Sequence, residues 1–150
     1  MSLQVLDRPG VRFCSHPEPY AVISITDPNL KHPVLARSEN CRAVLPLQFY
    51  DVFGRAAQVK NGPSGAWFTE SMAREIAEFV NAQRSQGVNL IVVNCEFGMS
   101  RSAGVASALS FFYNQDETFF LVHHRPNSLV RRLVLEALRT EIGTAKTPCL

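Results

Sequence analysis

The sequence predicts an α/β protein with a mainly parallel central sheet flanked by helices. Three segments are apolar and rich in β-branched residues over nearly their whole length, which is typical of strands buried on both faces of a sheet. Segments with apolar residues at helical spacing separate and follow these strands. A chain of 150 residues can bury a core of its own, so we expect a single domain over residues 1–150.

Each strand is predicted from a short apolar run and the residues that border it. Tyr20–Thr26 (YAVISIT) ends at the turn sequence DPN, which accounts for Asp27 as a turn residue. Cys41–Phe49 contains Pro46, so this strand must end early or lie where the sheet needs no backbone donor. Asn89–Asn94 (NLIVVN) is the clearest strand of the three.

Two helices are predicted on either side of the third strand. Apolar residues recur at helical spacing between Thr69 and Gln86, where Thr69 can cap the start and Gly87 can end the helix. After Arg101, the segment SAGVASALSFFYN carries small residues on most faces, as expected for a helix that lies close to a sheet.

The segment before the first helix and the end of the chain complete the predicted architecture. The approach from Asp51 to the first helix contains VKNGPSG and is predicted to be a loop. An amphipathic pattern that begins near Leu129 predicts a last helix ending near Gly143, and residues 144–150 are expected to form a flexible tail.

Composition and charge exclude several classes of function. The formal net charge is only +2 and the arginines are scattered, so nucleic acid is not an expected partner. Charges at Asp7 and Arg8 interrupt any signal peptide, and no apolar run approaches about 18 residues, so we expect a cytoplasmic protein without a membrane partner. The four cysteines lie far apart with no C-x-x-C pair, which indicates neither a disulfide framework nor a zinc site.

The segment from Asn94 to Ser102 (NCEFGMSRS) has the features of an oxyanion site. It joins a strand to a helix, so its N–H groups and the positive helix end can hold a negative group. Arg101 adds a planar cation that suits two oxygens, and Gly98 permits a backbone conformation that strains other residues. The same field favours the thiolate form of Cys95, to whose sulfur the Ser102 hydroxyl can donate a hydrogen bond.

These residues carry a resemblance to a known family. Cys95, Gly98, Arg101 and Ser102 match C-x-x-G-x-x-R-S and resemble the C-x5-R signature of the cysteine-dependent protein tyrosine and dual-specificity phosphatases. The match is most similar to the compact bacterial and viral dual-specificity type. The resemblance implies a dual-specificity-phosphatase-like fold, a phosphocysteine intermediate, and no metal or other cofactor. The later segment RPNSLVRRLV also resembles the Pro-Asn-led helix that closes many members of the family.

The resemblance also assigns roles to individual residues. It implies that Cys95 is the nucleophile, assisted by Ser102, and that Asp51 is the general acid because LPLQFYDV resembles the segment that ends in this acid. The phosphate-binding loop that it implies comprises Glu96, Phe97, Gly98, Met99, Ser100 and Arg101. The family usually has histidine before the cysteine, whereas this sequence has Asn94, whose neutral amide is expected to hydrogen-bond the loop in place.

The predicted function is hydrolysis of phosphomonoesters on phosphotyrosine, phosphoserine or phosphothreonine. The expected partners are a phosphorylated protein or a small phosphomonoester, and phosphate, sulfate or vanadate should bind at the site. Two alternatives stay open: a rhodanese-like sulfurtransferase, which has no need of Asp51, and a catalytically silent module that binds phosphoproteins. Arg101 could also pair with a carboxylate, while His123 and His124 are expected to be structural or exposed.

Overall fold

The computed structural model describes residues 1–52 and 67–144, with side chains to residue 141. The strands are β1 (Ser2–Leu6), β2 (Tyr20–Thr26), β3 (Cys41–Gln48) and β4 (Leu90–Asn94). The helices are α1 (Arg8–Val11), α2 (Glu70–Ser85), α3 (Arg101–Asn114), α4 (Thr118–His123) and α5 (Ser128–Thr144). The four strands form one sheet in the order β1-β4-β2-β3, and every neighbouring pair is parallel. The α/β class and the parallel central sheet are therefore confirmed.

The central strand β2 shows why the predicted strands lack a polar face. All seven of its residues are buried. Ala21, Ile23 and Ile25 belong to the larger core cluster, which includes residues of α2, α3 and α5, whereas Tyr20 and Val22 belong to a smaller cluster on the other face. A strand packed on both faces needs apolar side chains at every position, which produces the continuous run seen in the sequence.

The two edge strands differ in how well the sequence predicted them. β3 alternates between exposed and more buried residues and places Pro46 in register with Ser24 at the sheet edge, where a missing donor is tolerated. The other edge, β1, was not predicted. Its five residues become a strand by pairing in parallel with β4, from Ser2 beside Leu90 to Leu6 beside Asn94.

The long helices begin and end close to where the sequence predicts. The Thr69 hydroxyl caps α2 by accepting from the Met72 N–H at 3.2 Å, and Gly87 follows the helix with a φ of 88°. α3 is buried from Arg101 through Ser110, as its small residues indicate. The predicted tail at 145–150 and the loop over 53–66 lie outside the described residues. None of the described helices has the length and apolar character needed to cross a membrane.

A two-contact ion pair holds α5 against the segment between α3 and α4. The Arg131 Nε and Nη2 atoms donate to the two Glu117 carboxylate oxygens at 2.7 and 2.6 Å, and the Ser107 hydroxyl also donates to this carboxylate. The hydrogen bond with Arg131 is the main reason why the pKa of Glu117 is lowered. Because the folded-state pKa lies below the unfolded one, the pair stabilises the fold above the unfolded pKa and loses this effect as pH falls through the folded value.

We therefore expect Glu117→Gln to lower the free energy of unfolding at pH 7 by about 1 kcal/mol, the upper part of the range for partly exposed ion pairs. The difference from the wild type should shrink near pH 3, below the ordinary pKa of a glutamate, because the unfolded wild-type chain then takes up a proton that the folded carboxylate resists. Urea unfolding at both pH values measures this, with Glu136→Gln in an exposed i,i+4 pair as the matched control. A deficit that stays the same at both pH values would contradict the ion-pair explanation.

Candidate active site

The site lies where β4 ends and α3 begins. Cys95 directly follows β4 and is only 3% exposed, and Ser102 lies in the first turn of α3 and is fully buried. The Cys95 Sγ and Ser102 Oγ atoms are 3.0 Å apart, within hydrogen-bond distance. The fold therefore brings together the predicted nucleophile and the hydroxyl that was expected to contact it. We refer to residues 95–100 as the Cys loop.

The backbone of the Cys loop is anchored through its carbonyl groups. The carbonyls of Glu96, Met99 and Ser100 accept hydrogen bonds from the N–H groups of Arg8, Arg125 and Asn127 at 3.1, 2.9 and 3.0 Å. Among the described residues, no hydrogen bond uses the N–H groups of Glu96 through Ser100. Loop amides that remain unpaired next to a helix N-terminus form a concavity suited to an anion.

Gly98 gives the Cys loop its curvature. Its φ is 64°, a left-handed conformation that side chains with a Cβ rarely adopt. A Cβ at this position would also lie 2.8 Å from the carbonyl carbon of Leu6 and from the Asp7 nitrogen. Both the backbone angle and the neighbouring chain therefore require glycine here, which supports the sequence interpretation of this residue.

Arg101 is buried and has two protein acceptors. Its guanidinium Nη1 donates to the Asp27 Oδ1 at 2.6 Å and to the Phe49 carbonyl at 2.7 Å, and the residue is 5% exposed. Asp27 and Phe49 come directly after β2 and β3, so this arginine links the carboxyl ends of two neighbouring strands to the Cys loop. The pairing with a carboxylate that the sequence left open is therefore present in the structure.

Asp51 lies across the Cys loop and is held by two neutral donors. Its Oδ1 accepts from the Ser100 hydroxyl at 2.8 Å and from the Asn127 Nδ2 at 2.7 Å. The same amide nitrogen donates to the Val52 carbonyl at 3.2 Å. Asn127, which is 1% exposed, thus connects the segment of Asp51 to the start of α5.

An open cleft lies beside Arg101 and Asp51. It is lined by Asp27, Tyr50, Asp51, Val52, Phe97 and Arg101. Phe97 is 84% exposed and lies at the mouth of the cleft. Arg101 and Asp51 therefore line one cleft, as a cation that binds an anion and a general acid would need to.

The other loop side chains point to structural contacts or to solvent. The Glu96 carboxylate is 3.0 Å from the Arg8 Nη1, and this arginine also donates to the Lys31 carbonyl. Met99 is 41% exposed. The loop positions were expected to act through their backbone, and these contacts are compatible with that expectation.

Asn94 does not make the hydrogen bond that the sequence interpretation expected. The residue is fully buried, and neither Oδ1 nor Nδ2 has a partner among the described residues. The hydroxyls of Ser24, its neighbour across the sheet, and of Thr26 are likewise buried without partners there. Val93 and Cys95 belong to the larger core cluster and Val92 to the smaller one, so the alternation of strand residues places Asn94 on the face of Val92. The amide therefore does not hold the Cys loop in the way that was expected.

The two neighbouring histidines lie beside aromatic rings. The His123 and His124 rings are 4.7 and 5.9 Å from the ring of Phe119 between centroids, and burial is the main cause of the lowered pKa of His124. Neither forms a hydrogen bond with Cys95 within the described residues. In residues 1–52 and 67–141, no three His, Cys, Asp or Glu side chains are grouped so that they could hold a metal ion.

The sheet, its helices and the loop that ends β4 have the fold of tyrosine-phosphatase-like proteins. The crystal structure of the human tyrosine phosphatase-like serine/threonine/tyrosine-interacting protein is similar to this chain, with a TM-score of 0.60. The similarity covers 94% of this chain and 93% of that chain at 14% sequence identity, so it shows the fold. No family model and no curated protein matches the sequence.

The sequence interpretation assigned no role in the site to two of its residues, Asp27 and Asn127. Asp27 was explained by its turn, and its carbonyl does accept from the Leu30 N–H at 3.0 Å, but its side chain contacts Arg101. Its position was a usable signal, because the carboxyl ends of parallel strands meet at one edge of the sheet. Asn127 had only a weak signal, its place in the Pro-Asn pair before α5.

Proposed function

We propose that this protein hydrolyses phosphomonoesters on proteins through a phosphocysteine intermediate, as a cysteine-dependent phosphatase of the compact dual-specificity type with a single catalytic domain. The observation that carries the proposal is the 3.0 Å contact between Cys95 and Ser102 at the base of a loop whose amides have no hydrogen-bond partner in residues 1–52 and 67–144. Phosphotyrosine, phosphoserine or phosphothreonine supplies the ester, and phosphate, sulfate or vanadate is a ligand of the same loop.

The first step transfers the phosphoryl group to sulfur. The Cys95 thiolate attacks phosphorus, so that an S–P bond forms while the bond from phosphorus to the leaving oxygen breaks. The loop amides and Arg101 hold the equatorial oxygens, whose charge is redistributed in the transition state. Asp51 gives its proton to the leaving oxygen, which departs as a neutral alcohol or phenol.

The second step returns the enzyme to its starting state. Asp51, now a carboxylate, accepts a proton from a water molecule as the water oxygen attacks phosphorus and the S–P bond breaks. The Ser102 hydroxyl is placed to donate a hydrogen bond to the sulfur as its charge returns. The products are inorganic phosphate and the Cys95 thiolate, with the proton again on Asp51.

Release of phosphate from a small aryl phosphate tests this proposal directly. We expect turnover by the wild-type protein in the presence of a metal chelator, inhibition by vanadate, and no turnover of thiosulfate. Thiosulfate turnover without phosphate release would instead identify a sulfurtransferase. Vanadate binding without any turnover would identify the silent binding module.

Asp51→Asn should separate protonation of the leaving group from the rest of catalysis. We expect the rate on a poor leaving group, such as an alkyl phosphate, to fall by about 10² to 10⁴, the usual range for loss of a general acid. The deficit should be much smaller on p-nitrophenyl phosphate, whose leaving oxygen needs little protonation. The measurement is kcat/KM on both esters, and an equal deficit on the two would remove Asp51 from the role of acid.

A further inference from the structure

The structure assigns a positioning role to Asp27. We infer that its carboxylate fixes the Arg101 guanidinium so that the edge formed by Nε and Nη2 faces the bound oxyanion. The inference deepens the proposed function, since it concerns the arginine of the same anion site. The starting observation is the 2.6 Å contact between Asp27 Oδ1 and Arg101 Nη1, where the arginine side chain is 6% exposed and the aspartate side chain 30%.

The contact uses the Nη1 end of the guanidinium and leaves its other edge for an anion. An arginine has five N–H groups, of which two are on Nη1. Asp27 Oδ1 and the Phe49 carbonyl are two acceptors within 2.7 Å of Nη1, one for each of its hydrogens. The remaining N–H groups are on Nε and Nη2, and these two atoms form the parallel fork that fits two oxygens of a phosphate.

The two carboxylates of the cleft, Asp27 and Asp51, have different hydrogen-bond donors, which indicates that they have different roles. Asp27 accepts from a fixed cation, whereas Asp51 accepts from the neutral Ser100 hydroxyl and the neutral Asn127 amide. A hydrogen bond between a guanidinium and a carboxylate is stronger than one between neutral groups, and it holds the Asp27 oxygen on Arg101. Asp27 therefore acts on the reaction through Arg101, and Asp51 remains the candidate for proton transfer.

The backbone around Asp27 is itself held in place. The residue follows the last residue of β2 and begins a turn that is closed by the Leu30 N–H. The carbonyl of Lys31, the residue after Leu30, accepts a hydrogen bond from the Arg8 guanidinium, which also contacts Glu96 of the Cys loop. The carboxylate is thus carried by a segment that is tied both to the sheet and to the Cys loop, as an anchor for a catalytic cation requires.

A double-mutant cycle tests the inference, because Asp27 should matter only while Arg101 is present. We expect Asp27→Ala to lower kcat/KM on p-nitrophenyl phosphate by about 10- to 100-fold, as a misplaced binding group does. Asp27→Asn, which keeps an oxygen acceptor, should lose less than about fivefold. In the Arg101→Ala background, Asp27→Ala should cause no further loss. Cys95→Ser serves as the blank and Glu136→Gln as the matched carboxylate control.

The dependence of kcat/KM on the leaving group is a second test of the inference. Asp27→Ala should cost the same factor on an alkyl and an aryl phosphate, in contrast to Asp51→Asn. The inference is overturned if Asp27→Ala has no effect on kcat/KM, or if its effect is equal in the wild-type and Arg101→Ala backgrounds. It is also overturned if Asp27→Asn lowers kcat/KM as much as Asp27→Ala, or if the deficit depends on the leaving group.

The same cycle can be run on tungstate affinity by calorimetry, which does not require turnover. Removing the Asp27 charge also removes its repulsion toward an anion, but this effect is common to both backgrounds and cancels in the cycle. If the wild-type protein binds tungstate without hydrolysing esters, the proposed hydrolysis fails, while coupling between Asp27 and Arg101 in the tungstate cycle still supports the anchor. If the protein hydrolyses esters and shows no coupling, only the anchor fails.

Discussion

Cys95→Ser is expected to lower turnover of an aryl phosphate by about 10⁴- to 10⁶-fold while tungstate still binds. The serine hydroxyl stays protonated near neutral pH and is a poor nucleophile, whereas the loop amides and Arg101, to which we assign oxyanion binding, are unchanged. The two effects should therefore separate in one variant. Phosphate release measures the first and isothermal titration with tungstate measures the second.

Cys41→Ser is the matched control for this prediction. Cys41 is a free, half-buried cysteine at the start of β3, where its sulfur is 4.0 Å from the Ala43 carbonyl. The same chemical change at this position should leave both turnover and tungstate affinity close to those of the wild type. Near-normal turnover by Cys95→Ser would rule out a covalent intermediate on this sulfur.

Arg101→Ala should lose about 10³-fold in kcat/KM and should also weaken tungstate binding, because in the proposed mechanism the guanidinium contacts the oxyanion in both the ground state and the transition state. Arg101→Lys is expected to recover little of this loss. Its single ammonium nitrogen cannot reach the acceptors from Asp27 and Phe49 and still present two donors to the anion.

Arg132→Ala provides the control for the loss of a positive charge. Arg132 is exposed and pairs with Glu136 on the surface of α5, at 3.3 Å. Its removal should leave kcat/KM unchanged, and thermal unfolding of all three arginine variants shows whether they remain folded. Full activity of Arg101→Lys would mean that a point charge is sufficient, and the two-oxygen arrangement would then be wrong.

The elements with strong local signals were predicted, and those that depend on a partner were not. The ends of β2 and α2 were predicted to within a residue, because a fully buried strand and a capped amphipathic helix each have a recognisable pattern in their own residues. β1 has five residues, none of them buried, and the helices α1 and α4 are only four and six residues long. Segments this short become regular because the rest of the chain supplies their contacts, so their own residues carry little signal.

The part of the candidate site that the sequence indicates is contiguous. Cys95, Gly98, Arg101 and Ser102 lie within one strand-loop-helix segment, and the structure brings the cysteine and the serine into contact. The bond between Asp27 and Arg101 joins residues 74 positions apart. No local pattern encodes such a contact, since it arises when parallel strands place their carboxyl ends at one edge.

The pairing of β1 with β4 determines the order in which the chain can assemble during synthesis. Leu6 lies beside Asn94, and the Arg8 side chain reaches Glu96, 88 positions later. At a translation rate of about 5 to 20 residues per second, the first strand waits roughly 4 to 18 seconds before its partner is made. Until then, the backbone of Ser2–Leu6 has no strand to pair with and its apolar residues have no sheet to cover. Leu6 and Asp7, which lie close against Gly98, are therefore made well before the Cys loop and cannot pack against it until it has been synthesised.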